Sequence, residues 1–313
     1  MRILLYTPHQ DAQDWKRDVE RALPGAQLRA WTPGDDAPAD YALVWRAPRA
    51  FFAPRADLKA VFNLGAGVDA VLALERAHPG MLPRDVPLVR LEDAGMARQM
   101  VEYTTHAALR YLRRFDEYAL LQRERRWRVL EPHPRETFVV GVLGLGALGA
   151  EVARALAALG LPVRGYSRAA KMLDGIATFA GAAQLDAFLD GVKLLVNLLP
   201  STADTDGILN ARAFSKLAHG AYLVNIARGA HLVEADLLDA LSSGRIAAAT
   251  LDVFAAEPLP EDHPFWREPR IAITPHCSAD TLRAEAVEQI AAKIGALERG
   301  EPIGGIVDRA RGY

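Results

Sequence analysis

Arg228 in NIARGAHLV, Asp252 and Glu257 in LDVFAAEPLP, and His276 in ITPHCSAD each follow a short apolar run. A planar guanidinium holds a carboxylate through two parallel hydrogen bonds. An imidazole gives or takes a proton near neutral pH, and a neighbouring carboxylate favours its charged form. Together these side chains suit a small 2-oxo acid: Arg228 grips the acid group, His276 protonates the carbonyl oxygen, and Glu257 orients and charges the histidine. Each also has a plain structural reading, Arg228 as an ion-pair partner, Glu257 as a solvated residue before Pro258, and His276 as one of eight histidines. Reduction of a carbonyl further requires a hydride source.

GVLGLGALGAEVARALAALG, starting at Gly141, meets that requirement. Gly144, Gly146 and Gly149 form G-x-G-x-x-G after an apolar run and ahead of an alanine-rich helical pattern, the context of a dinucleotide-binding turn. Gly144 permits the tight turn, Gly146 a close approach to pyrophosphate, and Gly149 close helix packing; Leu145, Ala147 and Leu148 complete the turn and the helix start. A glycine-rich packing turn that binds nothing is the competing reading. Where many such chains carry an acidic residue for the ribose, GYSRAAK places Ser167, Arg168 and Lys171. A carboxylate there repels a 2′-phosphate, whereas two cations and a hydroxyl attract one, so NADP(H) is expected in preference to NAD(H). The alternative is a surface cation at a strand end.

These groups need a scaffold that brings distant segments to one edge. The runs 2–7, 26–31, 41–45, 60–64 and 86–91 alternate with polar or helical stretches, as do FVVGVLGLG, LPVRGYS, KLLVNLL, AYLVNIA, IAAATLDV and RIAITPH after EPHP at 131–134. This pattern predicts an α/β chain with parallel sheets flanked by helices in two Rossmann-like or flavodoxin-like domains. Reactants gather at the strand ends of such sheets. The apolar spacing predicts one long amphipathic helix over 99–126 and a last helix over 281–298 that returns the chain to its first half. The expected domains are 1–98 with 277–313 for substrate and 99–276 for the dinucleotide, with the active site in the cleft between them.

Composition limits the remaining classes. The 37 Lys and Arg nearly balance the 39 Asp and Glu, and the net charge of -2 gives no global field for nucleic acid or anionic membrane. The basic stretch 110–128 is interrupted by Asp116, Glu117 and Glu124 and reads as a solvated helix face. One cysteine, Cys277, excludes an internal disulfide, and scattered histidines give no metal-binding spacing. No metal is expected. A short apolar N-terminal run with one basic residue does not make a signal peptide, and a cytoplasmic location is expected.

The segments NLGAGVDAVL, DAGMARQMVEY, the glycine turn, NLLPSTADT, NIARG, LDVFAAEPLP and TPHCSADT occur in one order along almost the whole chain. In them the chain resembles the D-isomer-specific 2-hydroxyacid dehydrogenase family, most closely its bacterial reductases of glyoxylate and hydroxypyruvate. The resemblance implies that Arg228, Glu257 and His276 are the catalytic set and that Asp252 lies near the nicotinamide amide. It also implies that Pro200 and Ala227 meet the cofactor and that Ala66 and Gly67 present backbone N–H groups to the substrate carboxylate. A discontinuous substrate domain and a homodimer follow from it as well. Trp45, at the end of YALVW, is expected to wall the substrate pocket, and Trp266 carries no assigned role. Reduction of bulkier 2-oxo acids and a cofactor-sensing regulatory protein are the other functions the pattern allows.

Overall fold

Alternate residues of a strand face opposite sides of its sheet, so a strand covered by helices on both faces must be apolar throughout. β1 (Arg2–Tyr6), β3 (Tyr41–Val44), β4 (Ala60–Asn63) and β5 (Leu88–Arg90) are apolar except at a terminal Arg2, Asn63 or Arg90, and β2 (Gln27–Ala30) forms a more polar edge. All pair in parallel in the order β2-β1-β3-β4-β5. Ile3, Leu5 and Phe62 enter the core on one face, with Trp15 and Val19 of α1 (Ala12–Ala22) and Ile290 and Ile294 of α9 (Arg283–Glu298). Leu4 and Val61 enter the other, with Val71 and Leu72 of α2 (Asp69–Ala77).

The structure, a computed structural model, describes residues 1–9 and 11–313. It divides into two units, Met1–Gly95 with Thr281–Tyr313, and Met96–Asp280. The second unit holds β6 (Val140–Leu143), β7 (Val163–Ser167), β8 (Ala177–Ala180), β9 (Leu194–Asn197), β10 (Ala221–Asn225), β11 (Ile246–Leu251) and β12 (Ile271–Ile273). Their order is β12-β11-β10-β9-β6-β7-β8, and every pairing is parallel. From β6 the chain moves outward to β7 and β8, then returns to β6's other side with β9, the reversal that creates a ligand crevice in doubly wound sheets. The first sheet has the flavodoxin-like order with its reversal at β1, so both units are Rossmann-like α/β layers. Their cores lie on either face of each sheet.

The sequence pattern extends one helix over 99–126, but the structure breaks it into α3 (Met96–Leu112) and α4 (Phe115–Arg123). Arg114 takes a left-handed φ of 57° at the break. Its guanidinium is held by both carboxylate oxygens of Glu117 at 2.6 Å and by the Glu131 carbonyl, beyond the end of α4, at 2.7 Å. Glu124 pairs with Arg126, so acids on this segment neutralise part of its basic run. β8 was not expected, because ATFA is too short and weakly apolar to read as a strand. The remaining helices are α5 (Ala147–Ala158), α6 (Leu185–Leu189), α7 (Ala211–Lys216) and α8 (Glu234–Ser242). Among the described residues no helix is long and apolar enough to cross a membrane.

Candidate active site

Parallel register brings Tyr166, Leu143, Asn197, Asn225, Leu251 and Ile273 into one row across β7, β6, β9, β10, β11 and β12. The loops that follow this row therefore start together along one carboxyl edge. Gly144, Pro200, Ala227, Arg228, Asp252 and His276 all belong to those loops. Residues up to 132 positions apart are thus gathered by register.

His276 Nδ1 lies 2.8 Å from Glu257 Oε2. Because a carboxylate only accepts, Nδ1 carries the proton and Nε2 is left for a reacting atom. The other Glu257 oxygen accepts the Phe254 N–H at 3.0 Å, so both oxygens fix its orientation. Both side chains are partly exposed, at 34% and 29%, as groups that must meet a ligand should be. His276 has a φ of 54°, in the left-handed region that non-glycine residues occupy only when their surroundings dictate it. Asp252 supplies that constraint. Its carbonyl accepts the His276 N–H at 2.8 Å, and its carboxylate accepts the N–H groups of Cys277 and Ser278, each at 2.9 Å. Thr274 Oγ1 donates to the same carboxylate at 2.5 Å. Asp252 is fully buried, and these contacts tie down the His276 loop.

Arg228 is half-buried with an extended backbone, and its Nη1 donates to the Ala227 carbonyl at 2.6 Å. Asn225 Nδ2 holds the Arg228 carbonyl at 3.0 Å, and Asn225 Oδ1 accepts from the Ala227 N–H and from Asn197 Nδ2. His231, fully buried, meets Asn197 Nδ2 with Nδ1 at 2.9 Å and the Pro200 carbonyl with Nε2 at 3.2 Å. Asn197 thus donates to Nδ1, which leaves the proton on Nε2 for Pro200. The loops of Pro200 and Arg228 are joined beneath the surface by this network. Sequence reasoning missed Asn197, Asn225 and His231; an asparagine closing an apolar run, as in LLVN and YLVN, was the available signal.

At the glycine turn, Gly144 has φ 102°, and a Cβ there would lie 2.7 Å from the Leu198 carbonyl oxygen. A Cβ on Gly149 would lie 1.8 Å from the Gly144 oxygen. Gly146 differs: nothing lies within 4 Å of the place its Cβ would take. It caps α5, whose first helical bond runs from the Ala150 N–H to the Gly146 carbonyl. The N–H groups of Ala147, Leu148 and Gly149 precede that bond and point out of the helix start, where a phosphate is bound by amides and helix dipole together. Open space at Gly146 and tight packing at its neighbours fit a pyrophosphate. The Leu145 side chain is buried against Gly165 and contributes backbone only.

Arg168 is exposed at the end of β7, and Lys171 Nζ reaches back to the Leu145 carbonyl, so both cations stand beside the turn. Ser167 is buried and its hydroxyl donates to the Ala169 carbonyl at 2.7 Å, shaping the loop that presents Arg168. Its proton is spent there, leaving its oxygen as an acceptor. Trp266 is about half exposed, with Nε1 on the Pro260 carbonyl at 2.9 Å.

The first unit gathers the other candidates. Asn63 Nδ2 donates to the carbonyls of Gly65 and Gly67, each at 2.9 Å, and folds residues 65–67 into a loop. In a trans peptide the carbonyl and the next N–H point oppositely, so the Ala66 N–H faces away from Asn63. Ala66 and Gly67 are half-buried. Trp45 lies against the same loop: a Cβ on Gly65 would come within 2.6 Å of its ring. Trp45 and Ala66–Gly67 are therefore neighbours.

Residues 105–278 match the family described as D-isomer specific 2-hydroxyacid dehydrogenase, NAD binding domain. Glyoxylate/hydroxypyruvate reductase A of Serratia proteamaculans is 59% identical over the whole of both chains. A D-isomer specific 2-hydroxyacid dehydrogenase from Xanthobacter autotrophicus Py2, solved with NADPH and MES, superposes with a TM-score of 0.93 at 41% identity, covering 100% of this chain and 99% of that one. The NADPH-dependent glyoxylate/hydroxypyruvate reductase of Sinorhizobium meliloti, solved with NADP and sulfate, gives 0.90 at 36% identity with the same coverage.

Proposed function

The chain belongs to the D-isomer-specific 2-hydroxyacid dehydrogenase family, and from that premise we propose that it reduces glyoxylate to glycolate and hydroxypyruvate to D-glycerate with NADPH. The observation that carries this reading is the His276–Glu257 pair at the same strand edge as a glycine turn with an open phosphate place. Relatives named for glyoxylate and hydroxypyruvate, and neighbours solved with NADPH or NADP, support the substrate and cofactor.

Bound reduced nicotinamide supplies the hydride for the carbonyl carbon. His276 donates the Nε2 proton to the carbonyl oxygen, and Glu257 holds the ring through Nδ1. Arg228 grips the substrate carboxylate; within the first unit, the outward Ala66 N–H and Gly67 are the proposed substrate contacts, with Trp45 packed beside their loop. The helix-start amides of Ala147, Leu148 and Gly149 hold pyrophosphate; Pro200 and Ala227 border the cofactor. Arg168 and Lys171 meet the 2′-phosphate, with Ser167 shaping their loop. Asp252 acts through the His276 loop. In this reading Met1–Gly95 with Thr281–Tyr313 is the substrate domain and Met96–Asp280 the cofactor domain.

A second copy of the chain is the proposed partner. Phe115, Trp127 and Val129 expose large apolar surfaces on α4 and the segment after it, Trp127 completely. A homodimer covering them removes that area from water, and light scattering at twice the chain mass is the expected result. A cytoplasmic enzyme is the location that suits this chemistry.

A panel of 2-oxo acids assayed with NADPH and NADH tests the assignment. Turnover is expected to be fastest for glyoxylate and hydroxypyruvate with NADPH, and slower for bulkier acids. Arg168→Ala should reduce the preference for NADPH about 10-fold or more, since a charge-assisted contact is lost. Equal losses with both nucleotides sink the 2′-phosphate role of Arg168. Tight NADPH binding with no turnover of any acid would establish the sensing protein instead.

A further inference from the structure

The Tyr103 hydroxyl of α3 lies 2.6 Å from Thr274 Oγ1, and Thr274 Oγ1 lies 2.5 Å from Asp252 Oδ1. Geometry alone leaves the donor of the first bond open, but chemistry resolves it. The carboxylate of Asp252 only accepts, so the single threonine hydrogen goes to it, and Tyr103 must donate to Thr274. Burial pushes the Tyr103 hydroxyl up to about 12, so it keeps this proton across the working range. The chain of donors therefore runs from Tyr103 through Thr274 to the buried Asp252.

Asp252 receives this chain and also binds the N–H groups of His276, Cys277 and Ser278. His276, with its left-handed φ of 54°, sits within the tied segment. Loss of the Tyr103 hydroxyl leaves the Thr274 oxygen without its donor and frees that hydroxyl to rotate away from Asp252. The constraint on the His276 backbone then weakens, although every group that touches substrate is intact.

We propose that Tyr103 is a positioning residue for the reaction, holding the His276 loop through Thr274 and Asp252; this rests on the catalytic reading of His276. The fold supplies an internal control. Tyr111 lies two helical turns further along the same face of α3, and its hydroxyl makes an equivalent 2.6 Å bond to Thr250 Oγ1. Thr250 belongs to β11 itself, two residues before Asp252, and its hydroxyl meets Tyr111 rather than the 274–278 loop. Tyr103→Phe and Tyr111→Phe thus remove like bonds from one helix, and only the first touches the relay.

Single-turnover oxidation of NADPH by glyoxylate, with melting temperature and NADPH affinity measured alongside, separates the two roles. Tyr103→Phe should slow hydride transfer about 10-fold while KM for glyoxylate and Kd for NADPH change less than about 2-fold. Tyr111→Phe should keep the parent rate. Thr274→Val should match Tyr103→Phe or fall below it, the double variant should be no slower than Thr274→Val, and Thr274→Ser, which retains the hydroxyl, should restore the rate. A Tyr103→Phe rate equal to that of Tyr111→Phe, or independent multiplication of the losses in the double variant, overturns the relay. His276→Ala run in parallel distinguishes the two failures: if it keeps the parent rate, the catalytic reading itself is wrong and the positioning role falls with it.

Discussion

The turns after β1 and β6 occupy equivalent places, each following the strand at which its sheet reverses direction. Their chemistry differs. After β6 the chain runs through Gly144 and Gly146 to the N-terminus of α5, where the Gly146 position is open. After β1 the segment has no glycine, and the chain's own carboxylate stands at the start of α1: Asp11 accepts from the Thr7 hydroxyl at 3.3 Å and from Trp15 Nε1 at 2.9 Å. A helix start attracts negative charge in either case. In one unit the chain's own carboxylate stands there, its oxygens accepting from side chains and not from the helix N–H groups, and in the other the place is open for a phosphate. The sheet topology creates the crevice, and a few side chains decide whether it can be filled.

A second device is shared. Asn63 closes β4 and folds the loop of Ala66 and Gly67, while Asn225 closes β10 and holds the Arg228 carbonyl. Both amides are buried, and both turn a strand end into a shaped loop. The first presents only backbone; the second presents a guanidinium. On the proposed function, the first loop belongs to substrate binding and the second to catalysis.

Substitutions at the glycine turn should show the largest effects. Gly149→Ala forces a Cβ against backbone and should lower Tm by about 5–10 °C. Gly146→Ala meets no protein atom, so Tm should stay within about 1 °C of the parent while Kd for NADPH rises about 10-fold or more through lost phosphate approach. Unchanged NADPH binding in Gly146→Ala would erase the contrast between the two turns. In the first unit, Asn63→Ala should raise KM for glyoxylate about 5-fold to 10-fold as the loop loosens, with NADPH affinity unaltered. A change confined to NADPH affinity would reverse the division of labour.

The smallest effect concerns acids at helix starts. Asp116, in the first turn of α4, has a buried Oδ1 with no partner among the described residues, unlike Asp11. Burial, with the nearby Glu117 charge, pushes its carboxyl up to about 6. A raised acid keeps its proton more firmly when folded, so folding loses stability as pH rises from the unfolded value through about 6, and the cost is complete above that range. Asp116→Asn should therefore raise Tm by about 2 °C at pH 8 and leave it unchanged at pH 4. A rise of equal size at both values would show that the effect is packing and not charge.

Much of this protein is legible in its residues. Apolar runs locate eleven of the twelve strands among the described residues, because a strand covered on both faces tolerates few polar side chains. Arg228, Glu257, His276 and the glycine turn stand out because few residue types can perform their chemistry. The break at Arg114 did not, since neither glycine nor proline marks it and the contacts that stabilise it come from Glu117 and Glu131. Tyr103, His231 and Thr274 were equally silent. Their meaning lies in hydrogen bonds between segments distant in sequence, and only the parallel register that draws those segments to one edge determines which polar groups meet, which donor faces which acceptor, and how firmly His276 is held.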